Sequence, residues 1–162
     1  MEYIYLGRIV NTHGIKGEVR IISNFRYKKQ VFVKDFSIYI GKKKEHEVIL
    51  NHRVHKNYDM ITMQGYTNIN EILKYKGLSV YVKREDIVLA ENEFLDEDLI
   101  GMQVWMNDEA KGIVKKVLID KQDKLVIQKG DKTYYVPYVK EVIKKIDRNK
   151  GIILENISGL LD

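Results

Sequence analysis

The stretch LGRIVNTHGIKGEVRI, residues 6–21, decides the fold class. Tyr3 to Val10 mixes apolar and polar residues at strand length, and Val19-Arg20-Ile21-Ile22-Ser23 does so again. Between them, Asn11 to Gly17 reads as a turn. Gly14 and Gly17 carry no Cβ, so they can take positive φ and let the chain reverse sharply while exposing backbone N–H groups. The reading is strand, turn, strand. The same rhythm recurs in Val48 to Val54, Met60 to Met63 and Leu78 to Val82, with turn residues at Gly41 to Glu45 and Asn57-Tyr58-Asp59. About six short strands before residue 85 is the density of a small barrel or sandwich.

One segment changes period. Within Thr67 to Gly77, Ile69, Ile72 and Leu73 share a helical face, Asn68 can cap the start, and Glu71 stands three residues on, as in a capping box. Gly77 suits the left-handed residue that ends a helix. A short helix followed by a closing strand is expected here. Glu85 to Asp98 is acidic and loses the strand rhythm, so a solvated connection is expected, with a boundary near Ala90. Strand periodicity resumes in Met102–Met106, Gly112–Ile119, Lys124–Gln128, Thr133–Val136, Val142–Asp147 and Ile152–Glu155, and Arg148 to Gly151 supplies the last hairpin turn. The expectation is an all-β chain of two small tandem barrels, residues 1–88 and 92–162, with one or two short helices.

Composition narrows the function classes. Of 162 residues 44% are apolar and 31% charged, which supports a packed core and argues against disorder. The absence of Cys removes disulfides, thiolate nucleophiles and Cys-based zinc sites, and fits a cytoplasmic protein. Met1 to Val10 lacks the basic start and apolar core of a signal peptide, and charges interrupt every apolar run well short of the roughly 20 residues of a membrane span. The net charge of +5 is unevenly spread. Residues 1–90 hold 16 Lys and Arg against 9 Asp and Glu, a net of +7, whereas residues 91–162 hold 12 against 14, a net of −2. The first half can face phosphates and the second cannot.

No nucleophile–base pair, Walker loop or dinucleotide fingerprint is present. His46, His52 and His55, with Asp59 nearby, sample metal-ligating chemistry. The odd separation of His52 and His55 puts them on opposite faces of a strand, and polar surface histidines are the better reading. No cofactor or metal is expected. Around the Gly-flanked turn, His13, Lys16 and Arg20, with Arg8 on the preceding strand, form a candidate phosphate contact; the alternative is a turn whose glycines serve geometry alone. Lys42, Lys43 and Lys44 sit at an apparent hairpin tip, either touching phosphates or guarding a strand edge. Phe94 and Leu95 lie among Asp96, Glu97 and Asp98, as an apolar anchor for a protein partner or as seam packing. Trp105 is expected in the core, with its indole N–H needing an acceptor.

Taken in order, LGRIVNTHGIKGEVRI, KGLSVYVKREDI, EFLDEDLIGMQVW, KGIVKKVLI, DKLVI, YYVPYVKEVIKKID and the closing GLLD resemble the RimM family from end to end. The resemblance implies a six-stranded N-terminal barrel like that of translation factors, followed by a PRC-barrel domain. It also implies a non-catalytic, monomeric factor that binds the free small ribosomal subunit, contacts a ribosomal protein of its head and assists maturation of the 3′ domain of its rRNA. Where the family places two adjacent aromatics at the head of the PRC domain, this chain has Phe94-Leu95, and Leu lacks the ring and hydroxyl. Two other classes compete. A hydrolase or metal enzyme needs a convergent polar site. A generic single-strand RNA module needs base-stacking aromatics on one exposed face, and in the sequence the N-terminal tyrosines are widely spread.

Overall fold

The computed structural model describes residues 2–14 and 16–161; Ile15 of the Gly-flanked motif and Asp162 of the closing motif lie outside the described residues. The chain separates into two compact units, residues 1–88 and 89–162. The first contains β1 (Tyr3–His13), β2 (Glu18–Ile22), α1 (Lys28–Val31), β3 (Ser37–Ile40), β4 (Glu45–His55), β5 (Tyr58–Met63) and β6 (Ser79–Lys83). Its strands close into a barrel in the order β1-β2-β5-β4-β3-β6, with every pair antiparallel. Alternation explains the closure. Ile4, Val19, Ile21, Ile38, Ile40, Val80 and Val82 point inward and are buried, each worth about 1.5–3 kcal/mol of apolar transfer.

The first hairpin differs from the sequence reading. The β1–β2 ladder continues through Thr12↔Val19 and His13↔Glu18, so β1 runs past Val10 and the turn shrinks to Gly14–Gly17. Both glycines have positive φ, 70° and 84°. A Cβ on Gly17 would stand 3.0 Å from the Asn68 carbonyl oxygen, so this glycine also serves packing, whereas one on Gly14 would meet nothing within 4 Å.

The expected helix over Asn68–Gly77 is instead two 3₁₀ turns, Ile69–Glu71 and Leu73–Tyr75. Its capping chemistry is as read. Asn68 Oδ1 accepts the Asn70 N–H at 2.9 Å, and Glu71 Oε1 accepts the Asn68 N–H at 3.1 Å. The period differs because the buried pair is Ile72 and Tyr75, three residues apart, which a three-per-turn helix stacks on one side; Leu73 is exposed.

The second unit contains α2 (Asp96–Leu99), β7 (Gln103–Met106), β8 (Glu109–Leu118), β9 (Lys124–Lys129), β10 (Lys132–Pro137), β11 (Ile143–Asp147) and β12 (Gly151–Leu154). Its six-stranded sheet has the order β10-β9-β8-β7-β12-β11, and β12 pairs parallel with β7. The strand order is open, ending at β10 and β11, where that of the first unit closes. Phe94, Leu99, Val104, Val114, Leu125, Ile127 and Leu154 belong to one buried cluster. Pro137 is the last residue of β10, an end strand, where a missing N–H breaks no inner ladder. Asn107 and Asp108, both at positive φ, make the two-residue loop that starts β8 at Glu109, earlier than its apolar pattern suggests.

Two further expectations are corrected. Trp105 is half-buried rather than core, lying under the Lys150 ammonium at 5.1 Å from the ring centre, and its indole N–H donates to the Lys150 carbonyl at 2.9 Å. The acidic connection is not wholly solvated. Its apolar residues Phe94, Leu95 and Leu99 are buried, and Asp96–Leu99 forms a helical turn around them.

Candidate nucleic-acid interface

The burial alternation of β2 turns Val19 and Ile21 inward and leaves Glu18, Arg20 and Ile22 on the outer face. Register then aligns Asn11, Arg20, Met60 and Arg53 across β1, β2, β5 and β4, with Met60 fully buried between the two arginines' strands. Arg20 is held in place rather than swinging free. Its Nη2 donates to His13 Nδ1 at 3.1 Å. Its guanidinium lies 5.0 Å from the Tyr58 ring centre, and its Nε is buried with no hydrogen-bond partner among the described residues. Arg53 grips Glu18 through two hydrogen bonds of 2.8 and 2.7 Å. Those bonds hold the Glu18 carboxyl below its ordinary pKa, against the opposing effect of burial. His55 faces His13 with ring centres 6.3 Å apart.

The sequence-read residues therefore divide. Arg8, His13 and Arg20 share the outer face of β1 and β2, and Lys16 stands on the turn beside them. Arg8 and Lys16 are exposed; Arg20 is committed to His13 and Tyr58. Lys42, Lys43 and Lys44 occupy the separate β3–β4 turn, where Lys42 and Lys43 are exposed. Lys44 instead lies over Tyr81, its ammonium 4.2 Å from the ring centre, and 5.5 Å from that of Tyr3.

Register also assembles what the sequence scatters. Tyr5 pairs with Tyr81, Tyr81 with Tyr39, and Tyr39 with His46, a second row across β1, β6, β3 and β4. Tyr5 and Tyr81 meet edge to face at 5.9 Å, and Tyr39 and His46 stack at 5.0 Å. Lys83 lies 4.9 Å from the Tyr39 ring centre. The signal was present in part in the alternation, since Tyr3, Tyr5, Tyr81 and Lys83 fall on outward positions of their strands, whereas Tyr39 joins them by register and is itself buried. Recognising it needed the strand order.

In the second unit Phe94 is only 2% exposed, part of the core cluster, with the Arg148 guanidinium 4.6 Å from its ring centre. Leu95 is equally buried. An exposed apolar anchor is therefore not what these two side chains form in this conformation; of the strip, Glu97 is exposed and Asp96 and Asp98 half-exposed.

The three clustered histidines separate. His46 Nε2 is 2.9 Å from Ser37 Oγ, His52 Nε2 is 2.8 Å from Asp59 Oδ1, and His55 faces His13. Among the described residues no group of three or more His, Cys, Asp or Glu is placed to hold a metal. None of the described helices is long and apolar enough to cross a membrane.

Comparison with known proteins covers both units. Residues 4–87 match the RimM N-terminal domain, and residues 96–159 match the RimM PRC barrel domain. The chain is 39% identical to a ribosome maturation factor RimM of Staphylococcus haemolyticus over 165 aligned residues, spanning 98% of this chain and 99% of that one. It is equally similar to one of Staphylococcus aureus, with the same coverage. Among solved structures, a 16S ribosomal RNA processing protein RimM of Pseudomonas aeruginosa aligns with a TM-score of 0.45 and 16% identity, covering 95% of this chain and 97% of that one. The N-terminal domain of RimM from Thermus thermophilus aligns with a TM-score of 0.47 and 17% identity, covering 55% of this chain and 98% of that one.

Proposed function

The chain belongs to the RimM family, whose members are ribosome maturation factors, and from that premise we propose how its two units divide the work. It acts in small-subunit maturation and rRNA processing by associating with the free small subunit. The first unit faces rRNA, and the second meets a ribosomal protein of the subunit head. The observation that carries the division is the charge asymmetry between the two units. Exposed Arg8, Lys16, Lys42 and Lys43 lie on the barrel, whose half of the chain has a net charge of +7. The carboxylates of Asp96, Glu97 and Asp98 are gathered on α2 of the other unit. Phosphate contacts of this kind position a protein on RNA without reading sequence. An acidic rim steers a cationic ribosomal protein.

The mode of action is binding without catalysis, as a cytoplasmic monomer. A factor that prefers one rRNA–protein intermediate shifts the population toward it by its differential affinity. Sedimentation of the protein with free small subunits, assembled ribosomes and no ribosomes tests this. Co-migration with free small subunits alone is the expected result; co-migration with assembled ribosomes only, or with neither, refutes the reading.

A further inference from the structure

The row Tyr5–Tyr81–Tyr39–His46 has no place in the phosphate contacts just described. It lies on the arc β1-β6-β3-β4, whose β3–β4 turn carries Lys42 and Lys43, whereas Arg20 and Arg53 belong to the arc β1-β2-β5-β4. Its two ends are exposed planar rings. Tyr5 is 53% exposed and backed edge to face by Tyr81, and exposed His46 is backed by Tyr39, nearly parallel at 16°. Strands in a sheet lie about 4.8 Å apart, so three steps separate the two end rings by about 14 Å along the sheet. Cations sit between and beside them. Lys44 lies over Tyr81, Lys83 over Tyr39, and Lys42 and Lys43 lead into the row from the β3–β4 turn. The nearby carboxylates are Glu45, which precedes His46 on β4, and Glu85; the Lys83 ammonium is held above its ordinary pKa first by its hydrogen bond with the Tyr39 hydroxyl and least by Glu85.

Resting on the small-subunit reading, we propose that this row is a stacking platform for unpaired bases of single-stranded RNA. Bases would lie on the Tyr5 and His46 rings, the exposed Lys42 and Lys43 ammoniums would take the phosphates between them, and Lys44 and Lys83 hold the Tyr81 and Tyr39 rings in place. The chemistry favours this occupant. Flat π-faces interleaved with cations match a strand that presents a base and an anion at every nucleotide, and such stacking tolerates any base because every base has a π-face. Duplex RNA hides those faces and is read through backbone and 2′-hydroxyls. A basic protein, the other plausible visitor to an aromatic surface, would meet four lysines.

The test uses the full-length protein with a fluorescein-labelled oligouridine of about twelve nucleotides, within the range of site sizes for barrel-type binders. A self-complementary RNA duplex of equal length is the control, and binding is read by fluorescence anisotropy. The single strand should bind more tightly than the duplex. Tyr5→Ala should weaken it at least about fivefold, as loss of one stacked base does, while Tyr5→Phe retains binding. His46→Ala should weaken it in the same direction. A thermal melt accompanies each variant, and Tyr5→Leu, apolar but not aromatic, replaces Tyr5→Ala if the latter unfolds. The proposal is overturned if the wild-type protein does not bind the single strand, if Tyr5→Ala and His46→Ala bind as wild type, or if Tyr5→Phe loses as much as Tyr5→Ala. It is equally overturned if Tyr5→Ala leaves RNA binding intact but loses binding to isolated small-subunit proteins. Parallel sedimentation with free small subunits separates the two levels: wild type failing to co-migrate sinks the family-level reading, whereas co-migration with unaltered oligouridine binding in Tyr5→Ala sinks this inference alone.

Discussion

Removing two exposed cations should change how subunit binding responds to salt more than it changes the fold. Arg8, Lys16, Lys42 and Lys43 are the exposed members of the candidate phosphate contact, since Arg20 is tied to His13 and Tyr58 and Lys44 lies on Tyr81. If each neutralises one phosphate, the logarithm of the affinity falls with the logarithm of salt with a slope of about −3.6, taking about −0.9 per contact. Between about 50 and about 200 mM salt, that is a loss of roughly 150-fold. The double variant Arg8→Ala/Lys16→Ala retains two contacts, so its loss over the same range should be only about 12-fold. Both side chains are exposed, so the melting temperature should stay near that of wild type. Arg20→Ala is the informative control. It removes the partner of His13 Nδ1 and the cation over Tyr58, so it should lower stability while leaving the salt slope nearly unchanged. Binding of labelled protein to purified small subunits across a salt series measures all three slopes. An unchanged slope in the double variant refutes the assignment of these residues to phosphate contacts, and a flattened slope in Arg20→Ala alone refutes the view that Arg20 is structural.

Three further outcomes follow from individual contacts. Asp59 is a buried carboxylate bonded to Lys28 and His52, both at 2.8 Å, so Asp59→Asn should cost about 3 kcal/mol by urea unfolding; the figure sits at the low end for a buried pair because Lys28 can turn to water. A cost near zero would show that the ion pair holds nothing together. Glu18 has a folded pKa below its ordinary 4.5 because Arg53 hydrogen-bonds the charged form. A depressed carboxyl stabilises the fold fully above its unfolded pKa and loses that contribution as pH falls through the folded one, so the stability gap between wild type and Glu18→Gln should close in acid below the ordinary carboxylate range; a gap independent of pH would contradict it. Phe94→Ala should destabilise the second unit by about 3–5 kcal/mol, as a buried aromatic does, with any partner binding lost in proportion to unfolding. Weakened binding by a fully folded Phe94→Ala protein would restore its role as a direct anchor.

Much of the fold was legible because its signals are local. Alternating residues mark strands, Asn68 and Glu71 mark a cap, and paired glycines mark a turn. What remained hidden depends on strand order. The Tyr5 and Tyr81 rings are 76 positions apart, and only the β1–β6 ladder makes them neighbours. The capture of Arg20 by His13 and Tyr58 likewise needs β1, β2 and β5 in place. Phe94 and Leu95 misled for a different reason. Acidic neighbours suggest a solvated strip, but one helical turn is enough to send the carboxylates outward and keep Phe94 and Leu99 in the core. Composition averages over a window, whereas burial is decided residue by residue.

The two rows share β1, and the sequence of that strand shows how. Strict alternation starting from an outward Tyr5 would leave Gly7 outside, Arg8 inside, Ile9 outside and Asn11 outside. The structure instead shows Tyr5, Arg8 and Asn11 outward and Ile9 fully buried. Two register shifts account for it, one between Tyr5 and Gly7 against β6 and one between Ile9 and Asn11 against β2, leaving Leu6 and Val10 as the extra residues. Bulges of this kind bend a strand and increase its twist, which a barrel of only six strands needs in order to close. At the first shift the backbone comes so close to β2 that a Cβ on Gly7 would lie 2.4 Å from the Ile22 carbonyl oxygen, which is why a residue without one stands there. Closure and surface chemistry are therefore set by the same few residues. The bends that let β1 seal the barrel between β2 and β6 also turn a tyrosine toward one arc and an arginine and an asparagine toward the other.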